Sequence, residues 1–203
     1  MHKSVFFITL CLLLQGCAPL AKAVFGIDEI TEYQPEKAEA FLAETRKTMP
    51  CEMIVSDSAQ YAQMIRISVS DTDMMHHRSQ PVQILCFDGD SLIFYHISCL
   101  AQTGPFSIDW NHYGSFDRFP PSPTMLTDST GTMTLGHYAA VYPELRQQDK
   151  RYTVALFWTH VLGKVSRQAA EALAKSIRGH EDDCRVVLIC SDPFFSSLFR
   201  QAK

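Results

Sequence analysis

The sequence predicts an α/β domain built on a mixed sheet. Three observations carry this: a strand, helix, strand pattern over residues 152–190, two nearly continuous apolar runs around Asp88-Gly89-Asp90, and an amphipathic helix opened by Pro35. A strand, helix, strand unit at this spacing is right-handed with parallel strands, whereas an Asp-Gly turn joins antiparallel ones, so one sheet is expected to hold both pairings.

Taken in chain order, residues 34–203 form one α/β domain, after a leader at 1–16 and a tether at 17–33. Pro35 starts a helix over Glu36 to Glu44, with acids in its first turn and Arg46 and Lys47 in its last. Met53 to Val55 reads as a strand. Asp57 caps a second helix, in which Tyr61, Met64 and Ile65 recur at i, i+3 and i+4. Residues 70–80 read as a hydrophilic loop. Val82 to Phe87 and Leu92 to Ile97 are the arms of a β-hairpin, and their continuous apolar character suits strands covered on both faces.

Residues 104–131 combine Pro105, Pro120, Pro121 and Pro123 with Phe106, Trp110, Tyr113, Phe116 and Phe119. Such a stretch either folds inward over the sheet or exposes aromatic rings to a partner, and the inward reading is preferred. Leu135, Tyr138, Ala139 and Tyr142 then mark a helical face ending near Pro143. Tyr152 to Trp158 is a buried strand, Ser166 an N-cap, Arg167 to Arg178 an Ala-rich helix closed by Gly179, and Arg185 to Cys190 a second buried strand. Asp192-Pro193 supplies an N-cap and a proline at the first position of a terminal helix.

With 18 basic and 22 acidic residues the chain carries a net charge of −4, and it lacks a basic stripe. Nucleic-acid binding is excluded on that ground. Cys51, Cys86, Cys99, Cys184 and Cys190 are an odd set, so at least one stays free. Cys86 and Cys190 sit inside apolar runs and read as small buried hydrophobes. Cys184 and Cys190 cannot pair across an extended segment, which would hold them ~20 Å apart. The absence of C-x-x-C removes zinc and dithiol signatures.

The chain opens with Lys3 and the apolar run Val5 to Leu14, too short to span a bilayer and the length of a signal-peptide core. Leu12-Leu13-Leu14-Gln15-Gly16-Cys17 resembles a bacterial lipobox. That resemblance implies cleavage before Cys17 and acylation of its thiol, with diacylation supplying the two chains that stable anchoring requires. Ala18-Pro19 lacks the aspartate of an inner-membrane retention signal, which points to the outer membrane.

Val154-Ala155-Leu156-Phe157-Trp158, a loop, a helix and Val186-Val187-Leu188-Ile189 together resemble the central βαβ unit of thioredoxin-like folds. The two redox positions of that family fall on Leu162 and Val165, so dithiol exchange there is chemically impossible. The hairpin at 82–97 precedes this unit in sequence, unlike the family's order. With the lipobox, the pattern also resembles small bacterial lipoproteins, a resemblance that carries no activity and no site residues.

Met74-Met75-His76-His77, behind Asp71 and Asp73, reads as a polar surface loop rather than a metal site, and no cofactor is implied. Asp128-Ser129-Thr130-Gly131 resembles the turn of aspartic proteases, but it occurs once and reads as turn chemistry. His96 lies in a hairpin strand and reads as structural. His160 sits at the carboxyl edge of a strand, where open α/β sheets place ligands, and is a candidate binding residue with Trp110 and Phe116. No motif supplies catalytic residues.

The expected function is that of a lipid-anchored envelope protein acting by binding or assembly, with the membrane as one partner and an envelope protein as another. The alternatives are a small enzyme around His160, with Asp109 or Asp128 brought near, and an inhibitor or immunity-type lipoprotein. A concave site placing His160 within hydrogen-bond reach of a carboxylate would favour the enzyme. A broad exposed apolar patch on residues 104–131 would favour the binder.

Overall fold

Five strands form the central sheet, in the order β1 (Glu52–Val55), β7 (Cys184–Cys190), β6 (Tyr152–Trp158), β2 (Gln83–Asp88), β3 (Ser91–Ile97). The computed structural model describes residues 27–67, 72–99, 101–104, 107–129, 133–147 and 149–201. Cys17 and the whole leader lie outside the described residues, as do Asp71, Phe106, Thr130 and Gly131. β1, β7 and β6 run parallel, and β2 and β3 continue the sheet antiparallel, so the domain is α/β with a mixed sheet. A minor pair, β4 (Gln102–Gly104) and β5 (Ser107–Ile108), stands apart from it.

The apolar runs are continuous because β2, β6 and β7 are covered on both faces. Val154, Leu156 and Trp158 of β6, with Val186 and Leu188 of β7, face one core. That core is closed by α1 (Pro35–Arg46) and α6 (Gly163–Ile177). Ala155, Phe157, Val187 and Ile189 face the opposite core. That face is covered by α2 (Ser58–Ile65), α5 (Leu135–Ala139), a 3₁₀ turn (Pro143–Arg146) and partly buried phenylalanines of α7 (Asp192–Gln201). The sheet is thus the middle of three layers.

Local signals place these elements. Ala38, Phe41, Leu42 and Thr45 recur at helical spacing as the buried face of α1, behind Pro35 in its first turn. Asp57 and Gln60 cap α2 reciprocally: the Gln60 amide donates to Asp57 Oδ1 (2.7 Å) and the Asp57 amide to Gln60 Oε1 (3.0 Å). Gly89 turns the hairpin with φ +56°, the left-handed region open to glycine at least cost. Edge strand β3 is guarded by α4 (Met125–Ser129) and the residue before it. The Tyr95 amide donates to Thr127 Oγ1 (3.0 Å), and Thr124 Oγ1 donates to the Tyr95 carbonyl.

Three expectations need correction. The 70–80 segment is not a loop over its described part: α3 spans Thr72–Arg78, with His76, His77 and Arg78 in its last turn, where cations complement the helix dipole. α6 begins at Gly163 rather than Arg167, with Leu162 as N-cap. Ser166 is therefore inside the helix and bonds back to the preceding loop, donating to the Thr159 carbonyl (2.9 Å) and accepting from the Thr159 amide (3.3 Å). Asp128-Ser129 is not a turn, since both residues end α4.

Candidate functional site

β6 and β7 end in register at Trp158 and Cys190, so the chain leaves both strands side by side. His160 and Asp192 each lie two residues past that last pair, at the carboxyl edge of the sheet, and the parallel pairing brings them together although 32 residues separate them. His160 Nδ1 and Asp192 Oδ2 are 2.6 Å apart. Asp192 Oδ1 accepts from the His160 amide (2.7 Å) and from Thr159 Oγ1 (2.7 Å). One carboxylate thus fixes both the ring and the backbone of the loop that carries it.

The Asp192 side chain is 3 % exposed and that of His160 is 21 % exposed. Burial alone pushes a carboxyl pKa upward. In Asp192 the hydrogen bonds from the His160 ring, Thr159 and the His160 amide outweigh burial and hold the carboxyl below the usual range. An ionised Asp192 accepts a hydrogen bond from Nδ1–H, which leaves Nε2 as the ring nitrogen outside that contact. Trp158 braces the ring edge-on at 5.1 Å, and Phe41 stacks on Trp158 at 3.9 Å.

His160 opens into a groove of about 380 Å³ between α1 and α6, lined by Lys37, Phe41, Thr45, Arg167 and Glu171 among others. That volume lies inside the range of roughly 300–1,000 Å³ typical of small-molecule sites. The tether ends beside it. Ile27 bridges Leu162, and the Asp28 amide donates to the Val161 carbonyl (2.9 Å). Half-buried Tyr33 packs against the same core, and burial together with the nearby Cys190 and Asp192 pushes its hydroxyl pKa up.

No family model matches the sequence, and comparison with curated proteins and with solved structures finds no match.

The remaining candidates fall elsewhere. The carboxylate beside His160 is Asp192, and Asp109 is not brought near it. Asp109 Oδ1 accepts from the Asn111 amide (2.9 Å) on a separate loop, and the Asp128 side chain lies outside the described residues. Trp110, 2 % exposed, and Phe116 are buried against the sheet, where they box in His96. The described aromatic residues of 104–131 fold inward except Tyr113, so they present no broad apolar patch. Among the described residues no cluster of three or more metal-ligating side chains occurs. Cys51, Cys86, Cys99, Cys184 and Cys190 are all free thiols. Asp192 was read from sequence only as a helix cap; its equal offset from a paired strand end was the available signal.

Proposed function

We propose that this is a lipid-anchored envelope protein that binds a small ligand in the groove between α1 and α6, with His160 as its polar anchor. The observation carrying this reading is the His160 ring, held by a buried carboxylate at 2.6 Å and opening into a concave site. Nε2 accepts a proton-bearing group of the ligand, Lys37 and Arg167 offer cations at the rim, and the Phe41 side meets an apolar portion. The inward packing of Trp110 and Phe116 argues against loop 104–131 as the docking surface for a protein partner.

The anchor belongs to the same proposal. Nine residues lie between Cys17 and Ile27, and the ten steps that join them extend to at most about 35 Å, which keeps an acylated Cys17 and the groove within one domain's breadth of each other. The strand order β7, β6, β2, β3 supports a thioredoxin-like sheet whose hairpin comes first in the chain. Leu162 and Val165 at the start of α6 make this a non-redox version.

A second reading, proton-transfer catalysis, is favoured by the same Asp192–His160 pair, since a carboxylate-oriented imidazole is a general base. Among the described residues no hydroxyl or thiol hydrogen-bonds to His160, so its proton donor would be water or the substrate itself.

The test is native mass spectrometry of the mature protein extracted from membranes, compared with His160→Ala and with Ala170→Trp, which fills the groove. A bound compound seen with the wild type and lost in both folded variants is the expected result. Identical spectra from all three proteins would remove the groove as a binding site.

A further inference from the structure

The groove between α1 and α6 carries opposite charge at its two ends, because the two helices run side by side in the same direction. α6 follows β6 at the carboxyl edge of the sheet, and the chain beyond its far end is back at the amino edge, where the Tyr152 amide donates to the Asp183 carbonyl (3.0 Å). α1 starts just after Tyr33, whose hydroxyl lies near Cys190 and Asp192 at the carboxyl edge. Its last residue, Arg46, donates from Nε to the Cys51 carbonyl (2.9 Å) beside the start of β1, which is parallel to β7. Both helices therefore point from the carboxyl edge to the amino edge.

The side chains lining the groove sort by position along that direction. Lys37, His160 and Arg167 stand near the helix starts, and Glu44 and Glu171 stand beyond the apolar stretch of Phe41 and Ala170. Arg167 and Glu171 are one helical turn apart, yet among the described residues they form no ion pair; a base ahead of an acid is the weaker order for such a pair. Instead the guanidinium folds back over the first turn, with Nη1 3.6 Å from where a Cβ on Gly163 would stand. The cations thus lie level with Lys37 on α1 and Gly163 on α6. The carboxylates of Glu44 and Glu171 lie seven and eight residues on, about 10–12 Å away at the helical rise of about 1.5 Å per residue. Lys37, Arg167 and Glu171 have no side-chain partner among the described residues, and Glu44 meets Lys47 (2.5 Å) only in an exposed pair that contributes little. The helix dipoles reinforce the same polarity, positive at the His160 end.

The fitting occupant carries an anion and a cation about 10–12 Å apart with an apolar middle, and an extended chain of three residues spans about 10–11 Å between its ends. We propose, on the reading that the groove is this protein's binding site, that it holds a tripeptide with free termini. The carboxylate lies between Lys37 and Arg167, and the amide N–H before it donates to His160 Nε2. The central side chain meets Phe41 and Ala170, and the ammonium meets Glu44 and Glu171.

The test is calorimetric titration of the mature protein with alanyl-leucyl-alanine, its N-acetyl form, its C-terminal amide and the dipeptide alanyl-leucine. The free tripeptide should bind most tightly. Either cap should weaken binding about fivefold, the contribution of one partly exposed ion pair, and so should the dipeptide, which at about 7 Å reaches only one end. Glu44→Gln combined with Glu171→Gln should erase the penalty of acetylation and keep that of amidation; Lys37→Gln combined with Arg167→Gln should do the reverse. All four side chains are on exposed residues, so these variants keep the fold. Equal binding of free and capped tripeptides, or no binding of any of them, overturns the proposal. Ala170→Trp separates that failure from failure of the groove. A wild type that ignores the tripeptide but carries a membrane-extracted compound lost in Ala170→Trp refutes the peptide alone, whereas tripeptide binding that survives Ala170→Trp refutes both.

Discussion

His96 should make the fold acid-sensitive, and the size of the effect follows from its surroundings. The ring is 1 % exposed and packed against Phe94, Trp110 and Phe116. Burial pushes its pKa down from 6.5 to about 4, against the opposing effect of hydrogen bonds with the backbone of Ile97 and Trp110. The unfolded chain therefore binds a proton between those two values that the folded chain refuses. Stability is unaffected by this group above about pH 6.5, falls as pH drops below that value, and levels off below pH 4. One pKa unit corresponds to about 1.4 kcal/mol, so the loss reaches about 2 kcal/mol at pH 5. His96→Gln keeps a donor at this position and removes the titration. Urea unfolding of both proteins at pH 7.5 and pH 5 should show the wild type losing about 2 kcal/mol more than the variant over that interval. Parallel changes in the two proteins would refute the reasoning and place His96 in a hydrated or mobile environment.

Other outcomes are equally specific. Phe41→Ala, which removes the ring stacked on Trp158 beside the groove, should cost about 3 kcal/mol in urea unfolding. Arg78 is buried, and among the described residues its guanidinium hydrogen-bonds only to Met133 Sδ and meets no carboxylate, so Arg78→Met should raise stability by about 1–3 kcal/mol rather than lower it. A thiol reagent should modify exposed Cys99 first and half-buried Cys51 more slowly, because burial raises the Cys51 thiol to about 11; Cys86, Cys184 and Cys190 should react only on unfolding. Cys17→Ser should move the protein from the membrane to the soluble periplasmic fraction, read by fractionation and by mass spectrometry of the processed N-terminus. Unchanged membrane association would rule out acylation as the anchor.

The parts of this fold that were legible are those whose signal is local. The arms of the hairpin, β6 and β7 announce themselves as unbroken apolar runs because both faces of the sheet are covered, and Asp57 announces α2 because a capping box closes over four residues. The start of α6 was misplaced because Ser166 has the chemistry of a cap but spends its hydroxyl on Thr159. α3 was missed because five of its seven residues are polar and it spans under two full turns, too few for a hydrophobic period to show. His160 was legible as a strand-end residue. Its partner was not, because Asp192 also satisfies the local rule for a helix cap, and only the register Trp158 to Cys190 reveals that it faces the other way across the sheet.

The imidazole of His160 tests the central claim most directly. Long-range ¹H–¹⁵N correlation on the mature protein should show Nδ1 protonated and Nε2 basic, and Asp192→Asn should abolish that preference. Adding the compound extracted from the membrane-purified protein should then move Nε2 ahead of every other histidine nitrogen. An Nε2 signal that stays still while the compound binds, or a ring indifferent to the loss of the Asp192 charge, would contradict the account.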